Sequence, residues 1–243
     1  MSLYDTLLDP IGRIAVRRVV IGVNWTLVES ETGYGLAQTP RRDAPGCQPI
    51  ADAGRLAKVD LRALAGLIQS ENPFEAVLGM AAINAFHNRT DMVGSDENGL
   101  AAFGDLIGPI TVVGRFPGLH KYIRNFRIVE REPRTGEFPE SAFESLAQES
   151  VGVIITASTL ANKSAEAIFE RARGKPIAIV GPGTPLDPDL HALGVQVLAG
   201  SIVEDGELAA TIVAQTGGAA ALKQACRYVT LRAPRPAPGL RGD

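Results

Sequence analysis

Five apolar runs in the second half of the chain each stop at a cluster of small polar residues, and this repeat narrows the folds open to it. Ile110-Thr111-Val112-Val113 runs into Gly114-Arg115-Phe116-Pro117-Gly118, and Phe126-Arg127-Ile128-Val129 ends at Glu130. Val151 to Ile155 meets Thr156-Ala157-Ser158-Thr159-Leu160-Ala161-Asn162. Ile177 to Val180 meets Gly181-Pro182-Gly183-Thr184-Pro185, and Val195 to Leu198 meets Ala199-Gly200-Ser201. Helical stretches such as Ser164 to Arg173 separate the runs, and that alternation argues for a parallel sheet covered by helices. Open parallel sheets bind ligands just beyond the carboxyl ends of their strands. Neighbouring runs would gather the polar clusters on one rim.

The first half lacks this alternation. Leu3 to Leu8 reads as a short helix stopping before Pro10. Val16 to Val23 and Trp25 to Val28 are β-rich, joined at Asn24 by a tight hairpin or a bend, and Gly33 to Ala37 is a third short strand. Gln38 to Ala53 holds Pro40, Pro45 and Pro49 and reads as loop. Asp60 caps a helix over Leu61 to Ile68. Asn72, Pro73 and Glu75 mark the next start as N-cap, N1 and N3 in a capping-box arrangement. The Ala-rich helix that follows carries Asn84, a buried amide that needs either a ligand or a structural partner. The chain therefore divides into a small α+β domain over 1–95, a parallel-sheet domain over 96–231 and a flexible tail over 232–243.

A net charge of -3 with interspersed signs, and few aromatic residues, exclude a basic nucleic-acid face with stacking platforms. The opening residues lack the layout of a signal peptide, and no apolar run reaches the roughly 18 residues of a membrane span. A cytoplasmic protein is expected, with a homo-oligomer left open. Cys47, Cys226, His87, His120 and His191 are scattered and form none of the familiar metal spacings, so no closed metal site is expected.

The turns carry the candidate ligand-binding residues. Gly114 and Gly118 lack the G-x-G-x-x-G spacing of a dinucleotide loop, and Arg115 and Pro117 crowd it, so no nicotinamide cofactor is assigned. Glu130, at the end of its strand, is the candidate acid/base or acceptor group; its bland reading is a solvated carboxylate. Thr156, Ser158, Thr159 and Asn162 offer hydroxyls and an amide for an anionic or carboxamide group, or simply cap and close their turn. Ser164 is placed to cap the helix behind them. Gly181, Pro182 and Thr184 form a stiff turn, while Gly200, Ser201 and Asp205 complete the rim. Arg115, beside Gly114 and Phe116, is placed to meet a negative substituent.

These same strings resemble a known family. Gly114-Arg115-Phe116-Pro117, Val129-Glu130-Arg131, Thr156 to Asn162, Gly181 to Leu186 and Ala199-Gly200-Ser201 are similar to the heavy-metal chelation domain over residues 105–231. Tyr4-Asp5, Ile21 to Val28 and Gly79 to Ala85 look like its usual partner domain. The family's usual Thr-Gly turn is Thr156-Ala157 here. The resemblance implies an α/β chain, with an enolase N-terminal-like α+β domain followed by a Rossmann-like domain. It also implies a cleft between them where a small chelator, such as a pterin-, flavin- or siderophore-like molecule, is made, modified or bound. A carrier or sensor of a metal complex and a Rossmann-like methyltransferase are the alternatives.

Overall fold

The structure is a computed structural model that describes residues 2–41 and 48–234. The chain opens on α1 (Leu3–Leu8), where Ser2 and Asp5 form a reciprocal capping box. Strands β1 (Val16–Ile21), β2 (Trp25–Ser30) and β3 (Tyr34–Gln38) then form an antiparallel meander, with Ile21 opposite Thr26 across the Asn24 hairpin. Helices α2 (Leu61–Gly66) and α3 (Pro73–His87) follow, and the second half adds α4 (Phe143–Glu149), α5 (Ser158–Ala161), α6 (Ala165–Arg171) and α7 (Gly206–Ala214). Asn72 caps α3 through the Phe74 amide, but Glu75 accepts from the Ser70 hydroxyl at 2.6 Å and not from the cap backbone. The expected capping box is therefore replaced by a bond to the preceding loop.

Helix α3 is buried on nearly every side, with every residue from Ala76 to Ala85 enclosed. Its small side chains permit this, since a helix apolar all round must be covered all round. One side lies against β3, where Gly35 lets strand and helix backbones meet. The opposite face of the meander places Trp25, Leu27 and Leu36 against α7 (Gly206–Ala214) of the second half. Trp25 is thus a core residue.

The second half is a seven-stranded sheet built from β4 (Ile110–Val113), β5 (Phe126–Glu130), β6 (Phe138–Pro139), β7 (Gly152–Thr156), β8 (Ile177–Val180), β9 (Val195–Val203) and β10 (Cys226–Arg232). Its spatial order is β10-β9-β8-β7-β4-β5-β6, and all pairs are parallel except β9 with β10. Numbered from β4, the six parallel strands run 3-2-1-4-5-6, the doubly wound order of Rossmann-like sheets. Successive residues alternate faces as strand geometry requires: Ile154 joins the cluster around Phe103 and Leu119, while Val153 and Ile155 face Leu160 and Ile168.

Two expectations change here. Ala199-Gly200-Ser201 is not a turn, because β9 continues through it to pair with β10, Gly200 opposite Val229 and Ser201 opposite Tyr228. Arg232, expected to begin a mobile tail, ends that strand and pairs with Glu97 at 2.6 Å; positions 235–243, like Cys47, lie outside the described residues.

Candidate functional site

The order of the sheet reverses between β4 and β7, and the crevice expected at such a switch point is present. It has a volume of about 300 Å³ and is lined by Gly114, Arg115, Glu130, Thr156, Ser158, Thr159 and Asn162, with Arg131, Glu140 and Ser164 at its edge. Gln38, at the end of β3, closes it from the first half of the chain.

Gly114 sets the width of the crevice. Its φ of 100° suits glycine, and a Cβ there would lie 2.8 Å from Thr156 Cγ2. On the far wall, Thr159 Oγ1 donates to the Thr156 carbonyl at 2.7 Å and Ser158 Oγ to Thr156 Oγ1 at 3.3 Å. Ala157 sits in the right-handed region at φ -55°, so this turn needs no glycine. Asn162 Oδ1 accepts from the Ser164 amide at 3.1 Å and its hydroxyl at 2.6 Å. Ser164 therefore donates its hydroxyl to Asn162 instead of capping α6 (Ala165–Arg171) itself.

The charges in the crevice are largely matched. Arg115 meets Glu137 through two bonds of 2.8 and 2.6 Å, bonds the Glu132 carbonyl at 2.6 Å, and leaves Glu130 at 3.7 Å. The Arg115 hydrogen bonds, with help from the Arg134 amide, hold the Glu137 carboxyl down to about 2. A lowered carboxylate stabilises the fold above its unfolded value near 4.5, and that contribution is lost as pH falls toward 2. Arg115 is thereby committed to a wall of the crevice, which leaves Glu130 as its least engaged carboxylate, with a side chain 21% exposed.

Other candidates lie elsewhere. Phe116 packs with the apolar cluster of Leu119 and Ile123 beneath the sheet. Gly181 and Pro182 line a void of about 30 Å³ behind Ser158, shared with Trp25 and Met80. Thr184 and Ser201 are buried: Ser201 Oγ donates to the Pro182 carbonyl at 2.8 Å, and a Cβ on Gly200 would lie 2.6 Å from the Thr184 carbonyl oxygen. Asn84 donates to the Leu36 and Gly183 carbonyls at 2.8 and 2.9 Å. Asp205 caps α7 through the Leu208 amide. Asn24 donates to the Thr216 carbonyl at 2.6 Å. The crevice and this buried seam are thus separate places.

Asn88 organises the seam, although the sequence offers it only as the start of the polar stretch Asn88 to Asn98 at the domain boundary. Its amide donates to the Thr184 and Ser201 carbonyls at 2.9 and 3.1 Å, and its oxygen accepts from the Leu186 amide at 2.8 Å. The available signal was its i+4 spacing from Asn84 on one face of α3. Beside it, His87 bonds the Leu7 carbonyl and lies 3.7 Å from Asp187, whose carboxyl is pushed up by burial against the opposing pull of His87.

The donors suited to a metal do not converge: among the described residues no group of three or more His, Cys, Asp or Glu could hold one. Burial pushes the Cys226 thiol up to about 12, and His191 bonds the Val195 carbonyl. His120 stands in the turn Leu119–Lys121. That turn is a single 3-10 segment where a dinucleotide-binding sheet has a helix aimed at a pyrophosphate. The described residues thus fit neither a resident metal nor the usual nucleotide cradle.

Residues 106–232 match a family described as "Putative heavy-metal chelation", and residues 4–87 match a second family of the same description. The chain belongs to this heavy-metal chelation family. A crystal structure of a family member of unknown function from Desulfitobacterium hafniense is similar over 95% of this chain and 97% of that one, with 30% identity and a TM-score of 0.84. A second, from Pyrococcus horikoshii, covers 94% and 97% with 20% identity and a TM-score of 0.80, a likeness of fold. No curated protein matches the chain. As a member of the chelation family, the chain departs from what that label suggests in one respect: its described side chains supply no metal cage. No helix among the described residues is long and apolar enough to cross a membrane.

Proposed function

We propose that the chain binds a small chelator-like molecule, of pterin, flavin or siderophore type, in the crevice between β4 and β7. The metal of the family's description is then cargo held by that molecule. In this reading an N-terminal domain ending near residue 95 contributes Gln38, and a C-terminal domain running to 231 contributes the polar walls. One observation carries the proposal: the switch-point crevice of about 300 Å³ is lined by Thr156, Ser158, Thr159 and Asn162 opposite Glu130. Hydroxyls and an amide recognise the heteroatom edges of such ligands, and Glu130 is the acceptor or acid/base group beside them.

Binding without turnover has its own support. Among the described residues no His or Cys lines the crevice, and the Ser158 hydroxyl donates to Thr156 with no base behind it. A nucleophile needs an adjacent base or a lowered pKa. Condensation or hydrolysis would therefore rest on Glu130 and water alone.

Calorimetry with a pterin, a flavin and a catecholate, each with and without ferric iron, tests the proposal. At least one is expected to bind saturably, and Ser158→Phe, which fills the crevice, is expected to weaken it at least tenfold with little change in thermal midpoint. Heat from none of the six, or equal affinity in the filled variant, would overturn the assignment. Recovery of the bound molecule unchanged supports a carrier; its conversion assigns the acid/base role to Glu130, to be lost in Glu130→Gln.

A further inference from the structure

Beside the crevice, along α6, lies a second chamber of about 140 Å³, walled by Val113, Val129, Phe143 and Ile168 and edged by Arg131 and Arg171. The two spaces share Val113, Val129, Arg131, Glu140 and Ser164 in their linings, so they adjoin. Their chemistry differs. Val129, Phe143 and Ile168 are buried and apolar, whereas the crevice wall presents hydroxyls. An apolar cavity of about 150 Å³ is large enough for a benzene ring, and stays dry when empty because water finds no partners there.

The two arginines at the edge are in different states. Arg131 is engaged by Glu140 at 2.9 Å. Arg171, in the last turn of α6, has no carboxylate within ion-pair distance among the described residues. The helix C-terminus favours a cation there, yet the side chain also borders the mouth of an apolar chamber. A guanidinium so placed can take a carboxylate through two parallel hydrogen bonds.

We infer that the ligand of this crevice is a two-part molecule: a heteroatom-rich head among Thr156, Ser158 and Asn162, and a six-membered ring or equivalent apolar arm over Phe143 and Ile168 that ends in a carboxylate at Arg171. This rests on the reading of the crevice proposed above and specifies the class of ligand. The arm fixes orientation, because head and arm cannot exchange places without putting hydroxyls against Val129 and a ring against Asn162. Unpaired polar groups in either arrangement oppose binding.

The test uses two probes that differ only in the terminal group, 3-(3,4-dihydroxyphenyl)propionate and 4-propylcatechol, measured by calorimetry on the full chain. The carboxylate probe is expected to bind about tenfold more tightly, as one charge-assisted contact allows. Arg171→Gln is expected to erase that preference while leaving the affinity for 4-propylcatechol unchanged. Ala167→Trp, on the exposed side of α6 at the chamber wall, is expected to weaken both probes, with an unaltered thermal midpoint showing that the fold is intact. Equal affinities for the two probes, or a preference that survives Arg171→Gln, would remove the anionic arm. Binding of the pterin or flavin with no heat from either catechol probe would also remove it while leaving the crevice assignment standing. Heat from no compound in either set removes both.

Discussion

Replacing Gly35 with valine is expected to lower stability by about 3 kcal/mol or more, a drop of roughly 10 °C in thermal midpoint for a chain of this size. A Cβ at position 35 would land on the Ala81 carbonyl oxygen and the Ala85 nitrogen, which are backbone atoms of α3. Side chains turn aside when crowded, but a helix backbone moves only as a unit. Relief therefore requires β3 to lift from α3, which exposes Ala37, buried against that helix in the native fold. Gly66→Ala supplies the contrast. Its φ of -58° is ordinary, and nothing lies within 4 Å of a Cβ there, so a gain of about 0.4–1 kcal/mol is expected. Equilibrium unfolding in urea measures both. A Gly35 variant within about 0.5 kcal/mol of the parent would show that strand and helix are not in backbone contact.

Asn88→Leu is expected to cost about 3 kcal/mol with little change in side-chain size. The substitution strands the Thr184 and Ser201 carbonyls and the Leu186 amide in a buried place, and each unsatisfied group costs about 1–3 kcal/mol. Partial relaxation recovers some of the sum. Asn88→Asp keeps the acceptor for the Leu186 amide but turns a carboxylate toward two carbonyls. Burial raises the pKa of such a group, so this variant is expected to gain stability relative to the parent as pH falls, since the protonated form can donate once. Urea unfolding at neutral and mildly acidic pH checks the sign. Equal stability of all three proteins would mean that the seam is solvated.

Much of the second sheet was legible because its strands are buried on both faces and read as unbroken apolar runs. The runs ending at Val113, Glu130, Thr156 and Val180 are strands, and their ends meet where the strand order implies. The misplaced part of the rim has one cause. Gly200 and Ser201 look like turn residues, yet they continue β9 because β10, far along the chain, supplies antiparallel partners. Local composition cannot reveal that pairing, so Thr184 and Ser201 belong to a buried seam rather than to the crevice. Asn84 was offered either as a ligand contact or as a structural amide, and its side-chain donors reach the Leu36 and Gly183 carbonyls. Asn88, one turn further on, was read only as the start of a polar boundary stretch, because a polar residue at a helix end usually meets water. Gln38 gave no signal at all: an amide at a strand end acquires meaning only from the wall it completes. Arg115 was expected to face a ligand, but the Glu137 carboxylate takes its Nε and Nη2 edge, a pairing across 22 residues that local sequence does not show.

Difference density from crystals grown with the compound that calorimetry selects tests the central claim most directly. The account predicts a single bound molecule between Gly114 and Thr156, within hydrogen-bond reach of Ser158 or Asn162 and bordered by Glu130. Density confined to any other cavity, with the space between β4 and β7 holding only water, would contradict it.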